Sequence, residues 1–251
     1  MSYEQYRPSG FRVLPPVVKN LIIINVLFFL ATYAIGNASG FDLSEYLGLH
    51  YTGSPLFKPH QLVSYMFMHG GLMHILFNMF ALWMFGNVLE NVWGPKRFLI
   101  YYMVTGIGAG ALQLLVLYIQ TVKLESSLSP ETVNYVYEHG YDLLMGGKNF
   151  SDATLGKLNV IINSTTVGAS GAVFGILLAF GMLFPNSILY IYFAFPIKAK
   201  YFVMIYGALE LYMGFANNPS DNIAHFAHLG GMIFGFFMIK YWQKHPRTGR
   251  Y

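Results

Sequence analysis

Cysteine is absent from the 251 residues, which excludes disulfide frameworks and thiolate metal sites and leaves the redox compartment unread. Charge is scarce: Asp, Glu, Lys and Arg make up 10% of the chain, where soluble domains carry about 25%. The net formal charge is +4 and the basic residues are spread over short loops without forming a run, so a nucleic-acid partner has little support. What fills the chain instead is apolar. Hydrophobic residues make up 55%, mean hydropathy is +0.46, and the 26 glycines sit within apolar runs where a soluble helix would rarely put them. This is the composition of an integral membrane protein.

A hydrocarbon layer about 30 Å thick takes roughly 20 helical residues to cross. Six stretches approach that length: Leu21–Ile35, Leu72–Val92, Phe98–Ile119, Val167–Phe184, Tyr201–Ala216 and Ile223–Trp242. Barrel-like alternation is missing, so the expected fold class is all-α, a polytopic bundle of six transmembrane helices. The first and fifth stretches are short and are expected to extend into their flanks. Met1–Pro16 is polar, and no cleavable signal peptide is expected ahead of the first span.

Lys and Arg accumulate on the cytoplasmic side of membrane proteins. With six spans the 15 basic residues split 11 to 4, the minority being Lys58, Lys123, Lys148 and Lys157, and eight of the acids fall with that minority. Both termini are therefore expected in the cytoplasm. The division that follows is a cytoplasmic segment 1–20, a membrane domain 21–242 with an outer insertion at 120–164, and a cytoplasmic tail 243–251. The insertion reads as a loop domain or a partly ordered segment. The expected location is a cell membrane, plasma or inner. No internal repeat is visible, so a transporter built from inverted halves is unsupported.

Polar side chains inside spans are costly and mark functional sites by default. Span four opens Val167-Gly168-Ala169-Ser170-Gly171, and span six contains His225-Phe226-Ala227-His228-Leu229-Gly230-Gly231. Span two carries His74 and Asn78, which i,i+4 spacing puts on one face. At about 1.5 Å of rise per residue, Ser170, His228, His74 and Asn78 fall in one layer roughly 5–10 Å below the outer surface. A serine hydroxyl needs a base to take its proton, and a neutral histidine is the usual one. His74, Asn78 and the Ser170 backbone N–H could hold a developing oxyanion. Gly168 and Gly171 would let a substrate backbone approach, and the small-xxx-small pairs Gly171/Gly175 and Gly231/Gly235 would let spans four and six pack closely.

Taken singly, each feature has a structural reading. Gly-x-Ser-Gly is weak alone, a buried histidine often just bonds a carbonyl, and Asn78 could be interhelical glue worth about 1 kcal/mol. Their shared depth favours a site. Glu210, in span five, also falls near this layer. It could orient His228 as the acid does in Ser-His-Asp enzymes, although a protonated or interhelically bonded glutamate is the expected reading.

At these residues the chain resembles the rhomboid intramembrane serine proteases. The resemblance covers spans two to six: His74-x-x-x-Asn78, Glu90 with the Trp93-Gly94 turn, Gly168-Ala169-Ser170-Gly171, and Ala227-His228-Leu229-Gly230-Gly231. It implies a Ser170–His228 catalytic dyad, an oxyanion hole of His74, Asn78 and the Ser170 amide, and cleavage of transmembrane protein substrates near the outer face, favouring small side chains before the scissile bond. It also implies membrane lipids as neighbours, no cofactor and no metal, and Phe174 as the aromatic residue that stacks on the histidine. Oligomeric state is left open. A Trp-Arg pair common in the first outer loop of bacterial members appears here as His60-Gln61, and the loop between spans three and four is longer than usual. His225 is expected shallower than His228, bonding loop groups. The alternatives are an inactive rhomboid-like protein that binds membrane clients, a small transporter, and a metalloenzyme of His69, His74, His225 and His228. The last lacks a His-Glu-x-x-His pattern and any carboxylate at ligand spacing.

Overall fold

The computed structural model describes residues 10–191, 194–216 and 224–245. Arg7 in the amino-terminal segment, Asp221 and Ile223 at the expected start of the sixth stretch, and Arg247 and Arg250 in the tail lie outside the described residues.

Helix α1 (Pro16–Ser39) opens on a proline, whose fixed φ suits a first turn and whose missing N–H costs nothing there. It ends at Gly40 in the left-handed region, where the Gly40 N–H bonds Gly36 O at 2.9 Å. Short helices α2 (Leu43–Leu47) and α3 (Gln61–Ser64) and a 3₁₀ turn at Tyr65–Phe67 belong to the long first loop. Gln61 organises that loop: its Oε1 accepts from the His50 and Lys58 N–H groups, and its Nε2 donates to the Tyr46 and Leu56 carbonyls.

Next, α4 (Leu72–Ala81), a π-turn (Leu82–Gly86) and α5 (Asn87–Trp93) run as one continuous helix. Gly94, at φ 78°, and Pro95 turn the chain into α6 (Pro95–Glu125). At 31 residues α6 is about 46 Å long, so it outlasts a hydrocarbon layer. Among the described residues three helices are long and apolar enough to cross a membrane by themselves: Pro16–Ser39, Leu72–Trp93 and Pro95–Glu125. With large apolar side chains such as Leu27, Leu30, Phe77 and Ile119 more than half exposed on their outer faces, this is an integral membrane protein.

The 120–164 insertion is ordered and helical. Its first residues continue α6, and the remainder forms α7 (Pro130–Met145) and α8 (Ala153–Asn163). Ser129 and Asp152 cap the two helices through their side chains. Val136, Leu158 and Ile162 close a small core of their own, and Tyr141 donates to Glu45, docking the insertion on α2.

Helix α9 (Ser170–Leu183) is short, central and almost wholly buried, packed against α6, α10 (Ala199–Ala216) and α11 (His225–Lys244). Its 14 residues span about 21 Å, less than the thickness of a bilayer core. The sequence predicts a span from Val167; the helix begins three residues later, at Ser170, because Gly168 turns the chain at φ 130°. Between α9 and α10 the chain forms a hairpin of β1 (Ile188–Ile191) and β2 (Phe195–Lys198), paired antiparallel from Ile188–Lys198 to Ile191–Phe195. This hairpin departs from the all-α expectation. It lies at the end of α9 opposite Ser170.

Candidate active site

Two backbone ties fix the approach to Ser170. Leu49 and Thr166 exchange both backbone hydrogen bonds at 2.9 Å, and the Gly168 N–H donates to Tyr65 O at 2.9 Å. Gly168 then takes its left-handed φ, and a Cβ there would stand 2.8 Å from His74 Nε2. Only glycine fits. Ser170 is thus the first residue of α9, with its backbone N–H among those that no preceding turn of helix can satisfy.

His228 reaches this serine because α9 and α11 touch backbone to backbone. A Cβ on Gly231 would lie 1.8 Å from Gly171 O, which leaves room for a hydrogen and nothing larger. The expected close approach of these two helices is therefore present. Gly171 itself faces Ala109 of α6, where a Cβ would come within 2.4 Å, so it serves helix packing and not the approach of a substrate. The result is a 2.8 Å contact between Ser170 Oγ and His228 Nε2.

The imidazole is held from two further directions. Phe174, one turn after the serine, stacks on it at 4.1 Å between ring centroids with planes 7° apart. Tyr206 stacks on the far side of Phe174 at 5.2 Å, and Phe202 on Tyr206 at 5.6 Å, extending an aromatic wall onto α10. The sequence singled out Phe174; Tyr206 was hidden because nothing local says which face of α10 turns inward. At the ring's other edge His228 Nδ1 lies 2.8 Å from Glu210 Oε2, and His225 Nδ1 lies 2.7 Å from the same oxygen. His225 is therefore tied to α10 within the bundle.

His74 and Asn78 sit on the inward face of α4 as their spacing requires. The Gly70 N–H points at His74 Nδ1 from 3.4 Å, so the neutral ring carries its hydrogen on Nε2, the edge that borders Gly168. The same point above Gly168 is 3.5 Å from Ser170 Oγ, so both groups open on one small space. Asn78 donates one amide hydrogen to His74 O at 2.9 Å and keeps a second to offer. Beside them His69 packs edge-on to His74 at 5.1 Å, and burial pushes its ring down to about 4, so it is neutral.

The four histidines of the metal alternative thus fall in two pairs. Glu210, His225 and His228 do offer three ligand-type atoms within 4.8 Å of one another, an arrangement sequence spacing did not reveal. Hydrogen bonding accounts for that closeness without an ion, since one oxygen of Glu210 lies within hydrogen-bond distance of both rings.

The fold and this constellation define a helical integral membrane protein with a serine and a histidine in contact at the first residue of a short central helix. Residues 57–244 match the Rhomboid domain, and the chain belongs to the rhomboid family. No individual curated protein matches it. Glu90, part of the resemblance, is buried at the other end of the molecule, where its two oxygens accept from the Val17 and Val18 N–H groups at 2.9 and 2.8 Å.

Proposed function

We propose that the protein is an intramembrane serine endopeptidase that cuts transmembrane protein substrates near the outer face of a cell membrane. The observation that carries this reading is the 2.8 Å contact from Ser170 Oγ to His228 Nε2 at the first residue of α9. In the arrangement proposed, six helices cross the membrane with both termini in the cytoplasm, and the α7–α8 insertion stands on the outer side. Residues 21–242 make the membrane domain, 1–20 and 243–251 being cytoplasmic.

His228 accepts the Ser170 proton at Nε2 as Oγ attacks the scissile carbonyl. The tetrahedral oxyanion is held by the Ser170 N–H, the His74 Nε2–H and the free Asn78 amide hydrogen. His228 then returns the proton to the departing amine, the C–N bond breaks, and an acyl ester on Ser170 remains. Water, deprotonated by the same nitrogen, hydrolyses that ester. No cofactor enters this scheme.

The test is cleavage of a labelled membrane-spanning peptide by the purified protein, with the cut mapped. Cleavage that persists in chelator and vanishes in Ser170→Ala is expected. Cleavage retained in Ser170→Ala would overturn the serine mechanism, and binding of clients without cleavage by the wild type would favour the inactive, client-binding alternative.

A further inference from the structure

We propose that Glu210 is a positioning residue for His228, making a Ser170–His228–Glu210 triad, and that His225 is the second donor holding that carboxylate in place. The proposal rests on the serine-protease reading and adds two residues to it.

The proton positions follow from the contacts. For His228 to act as a base, Nε2 must present its lone pair to Ser170 Oγ, 2.8 Å away. A neutral imidazole with a bare Nε2 carries its hydrogen on Nδ1. The partner of that Nδ1 is Glu210 Oε2, at 2.8 Å, so the glutamate is the acceptor. The same oxygen meets His225 Nδ1 at 2.7 Å. With His228 Nδ1–H as donor, Oε2 accepts there, and as a carboxylate oxygen it can accept from His225 Nδ1–H as well.

This arrangement answers two costs. A carboxylate in an apolar bundle, 6% exposed, needs donors, and two imidazole N–H groups supply them in the resting state. During attack the Oγ proton moves to His228 Nε2 and creates an imidazolium in the same apolar surroundings. Glu210 then stands against it as a counter-charge, taking no proton itself. The Nδ1–H bond and the Phe174 stack together fix the ring: one sets its rotation, the other its plane. His225 keeps the carboxylate aimed while His228 changes charge. Were Glu210 only glue between α10 and α11, removing its charge would lower stability and leave turnover per folded molecule alone.

The experiment uses the full chain reconstituted in lipid, with kcat and KM measured on a fluorogenic membrane-spanning peptide and the thermal midpoint followed in parallel. Glu210→Gln is expected to lower kcat by about 10²–10⁴-fold with KM changed by less than about threefold, and Glu210→Asp to recover part of that loss. His225→Ala is expected to lower kcat by about 3–30-fold, on the same axis. A folded Glu210→Gln protein with wild-type kcat, or a loss confined to KM or to the thermal midpoint, overturns the proposal. Should Glu210→Gln not fold, His225→Ala decides, since an unchanged kcat there removes the two-donor arrangement. Failure of the triad leaves Ser170→Ala inactive, whereas failure of the protease reading leaves wild type and Ser170→Ala alike.

Discussion

Among the described residues two acids are buried, and they sit in opposite chemical company. Glu90 is 2% exposed and Glu210 6%. Each is satisfied by two N–H donors within 2.7–2.9 Å. At Glu90 the donors are backbone amides at the start of α1, which neither titrate nor turn. At Glu210 they are two imidazoles, one of which also touches a serine hydroxyl. Burial and hydrogen-bond satisfaction are the same at both ends. What separates a fastening from a reactive group is whether the partners can move a proton.

Substitutions along this contrast should fall in a definite order. His228→Ala removes the proposed base and is expected to lower kcat by about 10⁴–10⁶-fold while the protein remains folded; a modest loss, or an equal loss in His225→Ala, would transfer the base role. Asn78→Ala removes one proposed oxyanion donor and is expected to cost on the order of 10²–10³ in turnover. A wild-type rate in that variant would take Asn78 out of the site. Glu90→Gln closes the series. Its amide oxygen can serve only one of the two α1 donors well, so stability should fall by roughly 1–3 kcal/mol, read as a lower thermal midpoint, with kcat per folded molecule unchanged. A kinetic effect there would erase the distinction between the two acids.

Much of this was legible in the chain itself. Apolar run length announces the long helices, and the glycines at positions 171 and 231 announce the contact between α9 and α11, because a bundle without water leaves few other reasons for them. The insertion was read as a loop domain or partly ordered segment, because its short amphipathic segments resemble loop beside the longer runs, although Ser129-Pro130 and Asp152 start two helices there. For Glu210 the sequence offered His228 only as an alternative partner, and His225 not at all. They lie 15 and 18 residues away on another helix, and the rotation of α10 that aims the carboxylate is set by packing of Tyr206 and Phe174, which no local period encodes. The β1–β2 hairpin was missed for a plainer reason: with four residues a strand, and Pro196 inside one, it presents no sustained alternation.

The abutment of Gly231 on the Gly171 carbonyl has a mechanical consequence. Bilayers thin, thicken and bend, and packed helices answer by tilting. Here main chain rests on main chain, beside Ser170 on one helix and one turn beyond His228 on the other, so no side chain lies between α9 and α11 at that point to take up a tilt.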